Sequence, residues 1–152
     1  MGAALPGPGG DGGQPPAPRP EPPPPSPPGL QQERVGNLLF VLKGCSLSGK
    51  LVQCNFLVTN SGEDATVELY HGGSRLFDGE GNEYHAVEAI LGSSKVLTDE
   101  WYPASTRLAT GIPVRARLSF DGIPPETQLA TLLEVRTNQA TLQFRKVPLK
   151  RP

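Results

Sequence analysis

An alternation of apolar and polar residues with a period of two is the feature that most constrains the fold of this chain. The clearest example is the segment 112–121, in which polar residues separate the apolar ones. Its alternate apolar residues would share one face of a strand: Ile112, Val114, Ala116, Leu118 and Phe120. No window after residue 37 shows the 3.6-residue period of an amphipathic helix. The sequence therefore predicts an all-β domain.

Further strands are predicted by the same pattern in four places: Ala65–His71, Glu83–Leu91, Thr127–Thr137 and Ala140–Val147. Gly72-Gly73-Ser74 and Asn138-Gln139 have the composition of turns. The pattern is poor between Gly92 and Thr110, so a long loop with one short edge strand is expected there. About seven short strands separated by turns are typical of an immunoglobulin-like antiparallel β-sandwich. An open barrel is the alternative, and the pattern separates the two poorly.

The start of the chain has a different composition, because 12 of its 18 prolines lie in the first 30 residues. So few large apolar residues accompany them that burial cannot offset the entropy of ordering. Residues 1–34 are therefore predicted to be a disordered Pro/Gly-rich linker, followed by the β-domain at 35–150. Arg19, Pro22 and Pro25 also match an Arg-x-x-Pro-x-x-Pro pattern that docks on aromatic-lined grooves. The linker is thus either a plain spacer or a docking peptide.

Charge and hydropathy exclude two classes of function. Basic and acidic residues balance from residue 31 onward, at 13 each, which argues against a dedicated nucleic-acid binder. No apolar run approaches the roughly 18 residues of a membrane-spanning helix. No basic start followed by an apolar stretch, as in a signal peptide, is visible. We therefore expect either a cytosolic protein or one whose export segment was removed or lies outside this chain.

Both cysteines fall in one stretch that has the pattern of a β-hairpin. With Gly49-Lys50 as a two-residue type II′ turn, Cys54 lies directly opposite Cys45. Opposed residues of this kind approach disulfide range, and such a bridge persists only in an oxidising compartment. We favour the disulfide and, with it, export. Two reduced core cysteines in a cytosolic protein are the alternative.

The same hairpin register predicts which residues face the core. Residues expected on the face of the two cysteines are Leu39, Val41, Leu47, Val52, Phe56 and Val58. Lys43 is a misfit on that face, and Gly44 is a candidate for a β-bulge that turns it away. One register thus accounts for the turn, the core face and the cysteine pair.

Several strings of the chain, taken in order, are similar to those of a known family. They are FVLKGCSLSGKLVQCNFLVTNSGED, RLFDGEGNEYHA, LATGIPVRARLSFDGIPPET, LATLLEV and LQFRKVPL, running from about Leu39 to Leu149. This order resembles a bacterial extracellular Ig-like domain of the kind found in cyanobacterial and related envelope proteins. It resembles the immunoprotective extracellular lipoprotein domains more distantly. The resemblance implies an exported, often tethered β-sandwich without a catalytic residue, whose ligand it does not identify.

Candidate catalytic residues are few. His71 and His85 are the only histidines that could act as bases, and His71, Ser74 and Asp78 superficially offer a triad. Ser74 lacks the Gly-x-Ser-x-Gly surroundings of a nucleophile elbow, and its glycines indicate a turn. We therefore predict no catalytic residue, no cofactor and no enzymatic activity.

Two loops are candidates for binding. The segment Asp78-Gly-Glu-Gly-Asn-Glu83 has the oxygen ligands of a weak calcium loop, but a tight turn with Gly79, Gly81 and Asn82 in left-handed conformations explains the same residues. No metal site is therefore predicted, although calcium remains an alternative. Trp101 and Tyr102 lie in the poorly patterned loop, where exposed aromatic residues favour binding, but a tryptophan lid packed over one end of the sandwich is the interpretation we favour.

These expectations define two functional hypotheses. The first is a non-enzymatic, exported or envelope-tethered module that binds a protein or a cell surface through loops such as Gly92–Thr110, with Trp101 and Tyr102, and the turn from Asp78 to Asn82. Its proline segment would hold it away from a membrane or a neighbouring domain. The second is a cytosolic adaptor whose proline-rich segment docks on a partner domain. Neither hypothesis names the ligand.

Overall fold

The structure, a computed structural model, describes residues 30–152. The linker predicted for residues 1–34 and its Arg19 motif therefore lie largely outside the described residues. Ten strands and no helix make up the regular structure of the described part, which confirms the all-β prediction. The strands are β1 (Gln31–Val35), β2 (Leu38–Ser48), β3 (Leu51–Asn60), β4 (Ala65–Phe77), β5 (Glu83–Leu91), β6 (Ser94–Leu97), β7 (Ala104–Leu108), β8 (Val114–Phe120), β9 (Leu129–Thr137) and β10 (Thr141–Lys150).

The strands form one sheet that closes on itself. Their order is β6-β5-β8-β3-β2-β10-β9-β4-β7, and β5 pairs additionally with β4. Seven strands, from β5 round to β4, thus form a barrel, while β1, β6 and β7 are attached outside the closure. The immunoglobulin-like sandwich is not confirmed, because β5 and β10 each pair with strands on both sides and join what would be two separate sheets. The pairing is antiparallel except between β10 and β2, where Leu149 lies beside Cys45.

The predicted cysteine hairpin is present in the register derived from the sequence. Cys45 lies opposite Cys54 and Leu47 opposite Val52, and the two cysteines form a disulfide. Gly49 has a φ of +63°, as the first position of a type II′ turn requires. Both cysteines are buried in the core.

The bulge suspected at Gly44 is also present, and it corrects the predicted face of the preceding residues. The register of β2 against β3 shifts between Leu42 and Gly44, which leaves Lys43 without a partner position. One extra residue exchanges the two faces of a strand. Buried positions before the bulge are therefore Leu38, Phe40 and Leu42, whereas Leu39 and Val41 lie on the outer side and are only partly buried.

Three other local predictions differ from the structure. The predicted turn at Gly72-Gly73-Ser74 lies inside β4, as an irregularity in its pairing with β9. Glycine suits a bulge as well as a turn, so composition alone does not separate the two. The predicted inward residue Ile112 precedes β8 and is 57% exposed. Residues 31–34, assigned to the linker, belong to β1, which pairs with β2 outside the seven-strand closure. Its three middle residues are exposed, so its sequence shows no apolar alternation.

One strand reverses its faces near the end of the chain. Lys146 has a φ of +54° and is the non-glycine residue with positive φ among those described. Leu142 and Phe144 point into the barrel before it, and Val147 and Leu149 do so after it. The last part of β10 thereby contributes to the core while it reaches β2.

Aromatic and aliphatic side chains from the strands pack together in the core of the barrel. Phe56 of β3 and Phe144 of β10 lie with their ring centroids 5.7 Å apart. Large side chains that are fully buried come from seven strands and one loop: Phe40, Phe56, Phe120, Phe144, Leu42, Leu47, Leu69, Leu76, Leu91, Leu108, Leu118 and Ile123. The interior is therefore packed, and the surfaces available to a ligand lie on the outside.

Candidate functional site

Two exposed aromatic side chains and an exposed leucine lie close together in the sequence, at the end of β6 and just after it. Trp101 is 91% exposed, and Tyr102 and Leu97 are each exposed by more than two-fifths, at 42% and 44%. The two rings meet edge to face, with centroids 5.9 Å apart and planes at 87°. These three residues are called the aromatic surface below. Trp101 does not cover the end of the barrel, so the favoured prediction of a packed lid is wrong.

The aromatic surface stands on an ordered loop, held by Glu100. The Glu100 carboxylate accepts the backbone N–H of Leu97 at 2.7 Å and the hydroxyl of Tyr102. The backbone carbonyl of Glu100 lies 2.7 Å from Nε2 of His71, so the Nε2–H tautomer donates to it from β4. The sequence selected His71 as a candidate base, but its ring attaches this loop to the barrel.

These hydrogen bonds also fix the charge beside the rings. The Tyr102 hydroxyl, followed by the Leu97 N–H, lowers the pKa of the Glu100 carboxyl below its ordinary value. The bond to Glu100 raises the pKa of Tyr102 in turn. At neutral pH the loop therefore carries an ionised Glu100 and a neutral Tyr102, and the exposed carboxylate of Asp99 adds a second negative charge beside Trp101.

The second predicted loop, at Asp78, is a closed turn. Asp78 is only 7% exposed, and its Oδ1 accepts the backbone N–H groups of Glu80 and Asn82, each at 2.9 Å. Its Oδ2 accepts the side-chain amide of Asn82 at 3.0 Å and the hydroxyl of Tyr84 at 3.1 Å. Burial opposes ionisation of Asp78, but these four donors outweigh it and lower the pKa of the carboxyl.

The turn therefore engages both carboxylate oxygens of Asp78, the first candidate calcium ligand of this segment. Of the three residues expected in left-handed conformations, Gly81 alone has a positive φ, at +87°. Across residues 30–152, no group of three or more His, Cys, Asp or Glu side chains is arranged to hold a metal ion. Asp78 stabilises the turn between β4 and β5 with both of its carboxylate oxygens, whereas Asn82 is exposed and donates its backbone N–H and side-chain amide to that carboxylate.

The two predicted binding loops do not form one site. The Asp78 turn follows the end of β4, whereas the aromatic surface is attached at His71, nearer the middle of that strand. A separation of six residues along a strand corresponds to about 20 Å. Trp101 and Tyr102 thus form a surface by themselves.

The candidate triad is not assembled. Ser74 is fully buried, and its hydroxyl donates to the carbonyl of Tyr70 and accepts the backbone N–H of Arg136 at 2.9 Å. It therefore bridges the irregular part of β4 to β9. His85 is on the surface, with Nε2 3.4 Å from the Glu83 carboxylate.

A polar groove on the outer face of β4, β5, β9 and β10 was not predicted from the sequence. It is open to solvent, with a volume of about 640 Å³, and is lined by Gly73, Arg75, His85, Glu134, Arg136, Thr141 and Gln143. The guanidinium of Arg75 forms ion pairs with the carboxylates of Glu134, at 2.7 Å, and Glu83, at 3.0 Å. The hydrogen bond with Glu83 is the largest cause that raises the pKa of Arg75 above its ordinary value, and the hydrogen bond with Glu134 is the next.

The groove depends on the glycine bulge in β4. The guanidinium of Arg136 lies over the ring of Tyr70, 5.1 Å from its centroid. A methyl group at Gly73 would come within 2.6 Å of Arg136 Cδ, so glycine leaves the space that this side chain occupies. The one sign of the groove in the sequence is the presence of polar residues at outward positions of these strands. That pattern does not reveal which strands pair and so bring the residues together.

The chain contains no helix, within the part that the structure describes, that is long and apolar enough to cross a membrane. No protein family model, no curated protein and no solved structure matches it. Its function is therefore inferred from its residues and their geometry.

Proposed function

We propose that this chain is a non-enzymatic binding module that engages a partner protein through the aromatic surface. The observation that carries the proposal is the 91% exposure of Trp101 on a loop held by hydrogen bonds. Tryptophan and tyrosine are the residues most enriched among those that dominate binding energies. An exposed tryptophan side chain contributes no buried area to the fold, whereas contact with a partner buries a large apolar area.

The order of the loop favours binding as well. Because Glu100 already fixes the backbone beside Trp101 and the ring of Tyr102, a partner has little conformational entropy to remove on contact. The surface suits a partner that offers an apolar pocket for Trp101 and basic or polar groups facing Asp99 and Glu100.

Export to an oxidising compartment belongs to the same proposal. The Cys45–Cys54 disulfide supports it, because such bridges rarely persist in the cytosol. The resemblance of the segment from Leu39 to Leu149 to bacterial extracellular Ig-like domains also supports it, on sequence motifs alone. In this proposal the proline segment tethers the barrel at a distance from a membrane or a neighbouring domain.

Binding through the aromatic surface is tested with a pair of single substitutions. Trp101→Ala and the control Ile112→Ala each remove an exposed apolar side chain, but Ile112 lies before β8, away from the aromatic surface. We expect Trp101→Ala to weaken binding of a captured partner about 30-fold, equivalent to about 2 kcal/mol. Ile112→Ala should bind as the unchanged chain does. Equal binding by all three proteins, measured by calorimetry, would contradict the proposal.

The compartment is tested by the state of the cysteines in the cell of origin. Cells are lysed directly into a denaturant that contains the alkylating agent, with and without prior reduction, because both cysteines are buried in the folded chain, and the intact mass is then measured. We expect no label without reduction and labelling of both cysteines after it. Two free thiols before reduction would contradict the export proposal. That result would favour the cytosolic adaptor, whose proline segment docks on a partner domain.

A further inference from the structure

We propose that the barrel wall formed by β8, β3, β2 and β10 binds an anionic polysaccharide, a sugar polymer that carries sulfate or carboxylate groups. This four-strand surface is called the basic face below. The inference is independent of the proposed function, because the basic face and the aromatic surface lie on different sides of the barrel.

Charge is distributed unevenly round the barrel. From residue 31 onward the chain has 13 basic and 13 acidic residues. The four strands of the basic face are consecutive in the sheet and contain no Asp or Glu. Their basic residues, all at least partly exposed, are Lys43, Arg115, Arg117, Arg145, Lys146 and Lys150. The basic face therefore has a positive potential that the overall balance of charge conceals.

Three of these cations have no carboxylate partner in the part of the chain that the structure describes. No ion pair within residues 30–152 includes Lys43, Arg115 or Lys150. Arg117 differs, since its Nε lies 3.9 Å from the carboxylate of Glu88 on β5. The three unpaired cations keep their charge available to an anionic ligand.

The bulge in β2 places one of these cations on the basic face. Lys43 lies two residues before the buried Cys45, so strict alternation would direct its side chain into the core. The register shift before Gly44 removes Lys43 from the alternation, and its side chain is exposed. The bulge thus supplies a surface cation in the middle of a strand that otherwise packs against the core.

A shallow groove connects the three unpaired cations. Two adjoining depressions, of about 370 and 160 Å³, share Lys43 and Asn55, and they extend to Arg115 and Lys150 respectively. Two strand spacings separate Lys43 from Arg115, and three residues along β2 with one spacing separate it from Lys150. Adjacent cations are therefore on the order of 10 Å apart. This spacing suits a polymer with repeated charges better than a single small anion.

The other side chains of the basic face favour a sugar polymer over other polyanions. The exposed amide of Asn55 and the partly exposed hydroxyl of Ser46 offer hydrogen bonds to sugar hydroxyls. None of the exposed large apolar side chains among the described residues lies in these four strands. Protein partners and membranes are usually bound with apolar anchors, and single-stranded nucleic acids with exposed aromatic rings. A hydrophilic polyanion needs neither.

The sheet order places the basic face across the barrel from the aromatic surface. His71 attaches the aromatic surface to β4. Round the seven-strand closure, β4 is three strands from β2 and three strands from β3, which is the largest separation that the ring allows. A polysaccharide on the basic face therefore leaves Trp101 free for a partner protein.

The test is calorimetry of full-length protein with a short dextran sulfate, and with unmodified dextran as the uncharged control polymer. We expect only dextran sulfate to bind, with an affinity that falls at least about tenfold between about 50 and 200 mM salt, because binding releases counterions. Lys43→Gln/Arg115→Gln should weaken binding about tenfold. The control Arg107→Gln/Arg136→Gln removes the same charge from exposed side chains of β7 and β9 and should weaken it less than about twofold.

A second variant guards against an effect on folding. Lys43→Gln/Lys150→Gln changes exposed side chains alone and should weaken binding as strongly as the first variant. Urea unfolding of each variant shows whether the barrel is intact. Trp101→Ala should bind dextran sulfate as the unchanged chain does.

The inference is overturned when dextran sulfate does not bind, or when the basic-face and control variants lose affinity equally, because net charge alone would then explain the binding. Binding of phosphatidylserine vesicles or duplex DNA at least as tight as that of dextran sulfate would also overturn it, since the basic face would then serve another polyanion. None of these results bears on the proposed function, which Trp101→Ala tests with a captured partner.

Discussion

Asp78 and Trp101 were both selected from the sequence as binding residues, and their surroundings give them opposite roles. Asp78 is buried and receives four hydrogen bonds, two of them from backbone N–H groups. Trp101 is almost fully exposed on a loop that other residues hold. Residue type identified both positions, but the number of partners around each side chain decides whether it stabilises the fold or is available to a ligand.

Replacement of Asp78 by asparagine is expected to lower the free energy of unfolding by about 2 kcal/mol at neutral pH, since the charged acceptor is lost. The folded-state pKa lies below the ordinary value of 3.8, so the ionised carboxylate stabilises the fold above that value. This contribution is lost as pH falls through the folded-state pKa. Between about pH 5 and pH 2, the free energy of unfolding measured with urea should therefore fall more for the unchanged chain than for Asp78→Asn.

The control for that experiment is Glu126→Gln, which removes an exposed carboxylate. It should change the free energy of unfolding by no more than about 0.5 kcal/mol, both at neutral pH and at acid pH. If Asp78→Asn behaved like this control, Asp78 would not stabilise the turn between β4 and β5.

At the scale of the element, the hairpin of β2 and β3 shows how far local patterning reaches. The turn, the register and the Cys45–Cys54 pair follow from neighbouring residues and were predicted correctly. The faces of Leu39 and Val41 were predicted wrongly, because the bulge at Gly44 inserts one residue and exchanges the two sides of the strand. A bulge was foreseen there, but its effect on every preceding residue was not carried through.

Reduction of the Cys45–Cys54 bridge is expected to lower the free energy of unfolding by about 2–3 kcal/mol, because the unfolded chain regains the freedom of the closed loop. The measurement is urea unfolding with and without a reductant, with thiol labelling to show that the bridge is open. In the control, Cys45→Ala/Cys54→Ala, the reductant should have no effect. An unchanged free energy after complete reduction would contradict the expected role of the bridge.

At the scale of the whole molecule, the barrel closes because β5 and β10 join two groups of strands that would otherwise form separate sheets. β5 lies between β4 and β8, and β10 lies between β9 and β2. The outward side chains of β4, β5, β9 and β10 thereby meet in the polar groove of Arg75 and Glu134. Strands β1, β6 and β7 lie outside the closed sheet, and each forms a strand pairing with a single strand, namely β2, β5 and β4 respectively.

Amide hydrogen exchange is expected to follow this arrangement. The barrel strands β2, β3 and β9 have hydrogen-bonded neighbours on both sides and should open only with global unfolding. The edge strands β1, β6 and β7 should exchange faster, through local opening. The measurement is exchange at single-residue resolution by NMR, and equal protection of β3 and β7 would contradict the described sheet order.

The all-β character, the position of most strands, the cysteine hairpin and the turn at Asn138-Gln139 could be predicted from local patterns, because each depends on residues close together in the chain. The closure into a barrel, the polar groove and the different surroundings of Trp101 and Asp78 depend on long-range contacts, which the structure reveals. An alternating pattern states which face of a strand is buried, but not which strand it pairs with. The glycines of β4 show the same limit, since a bulge and a turn use the same residues and only long-range pairing separates them.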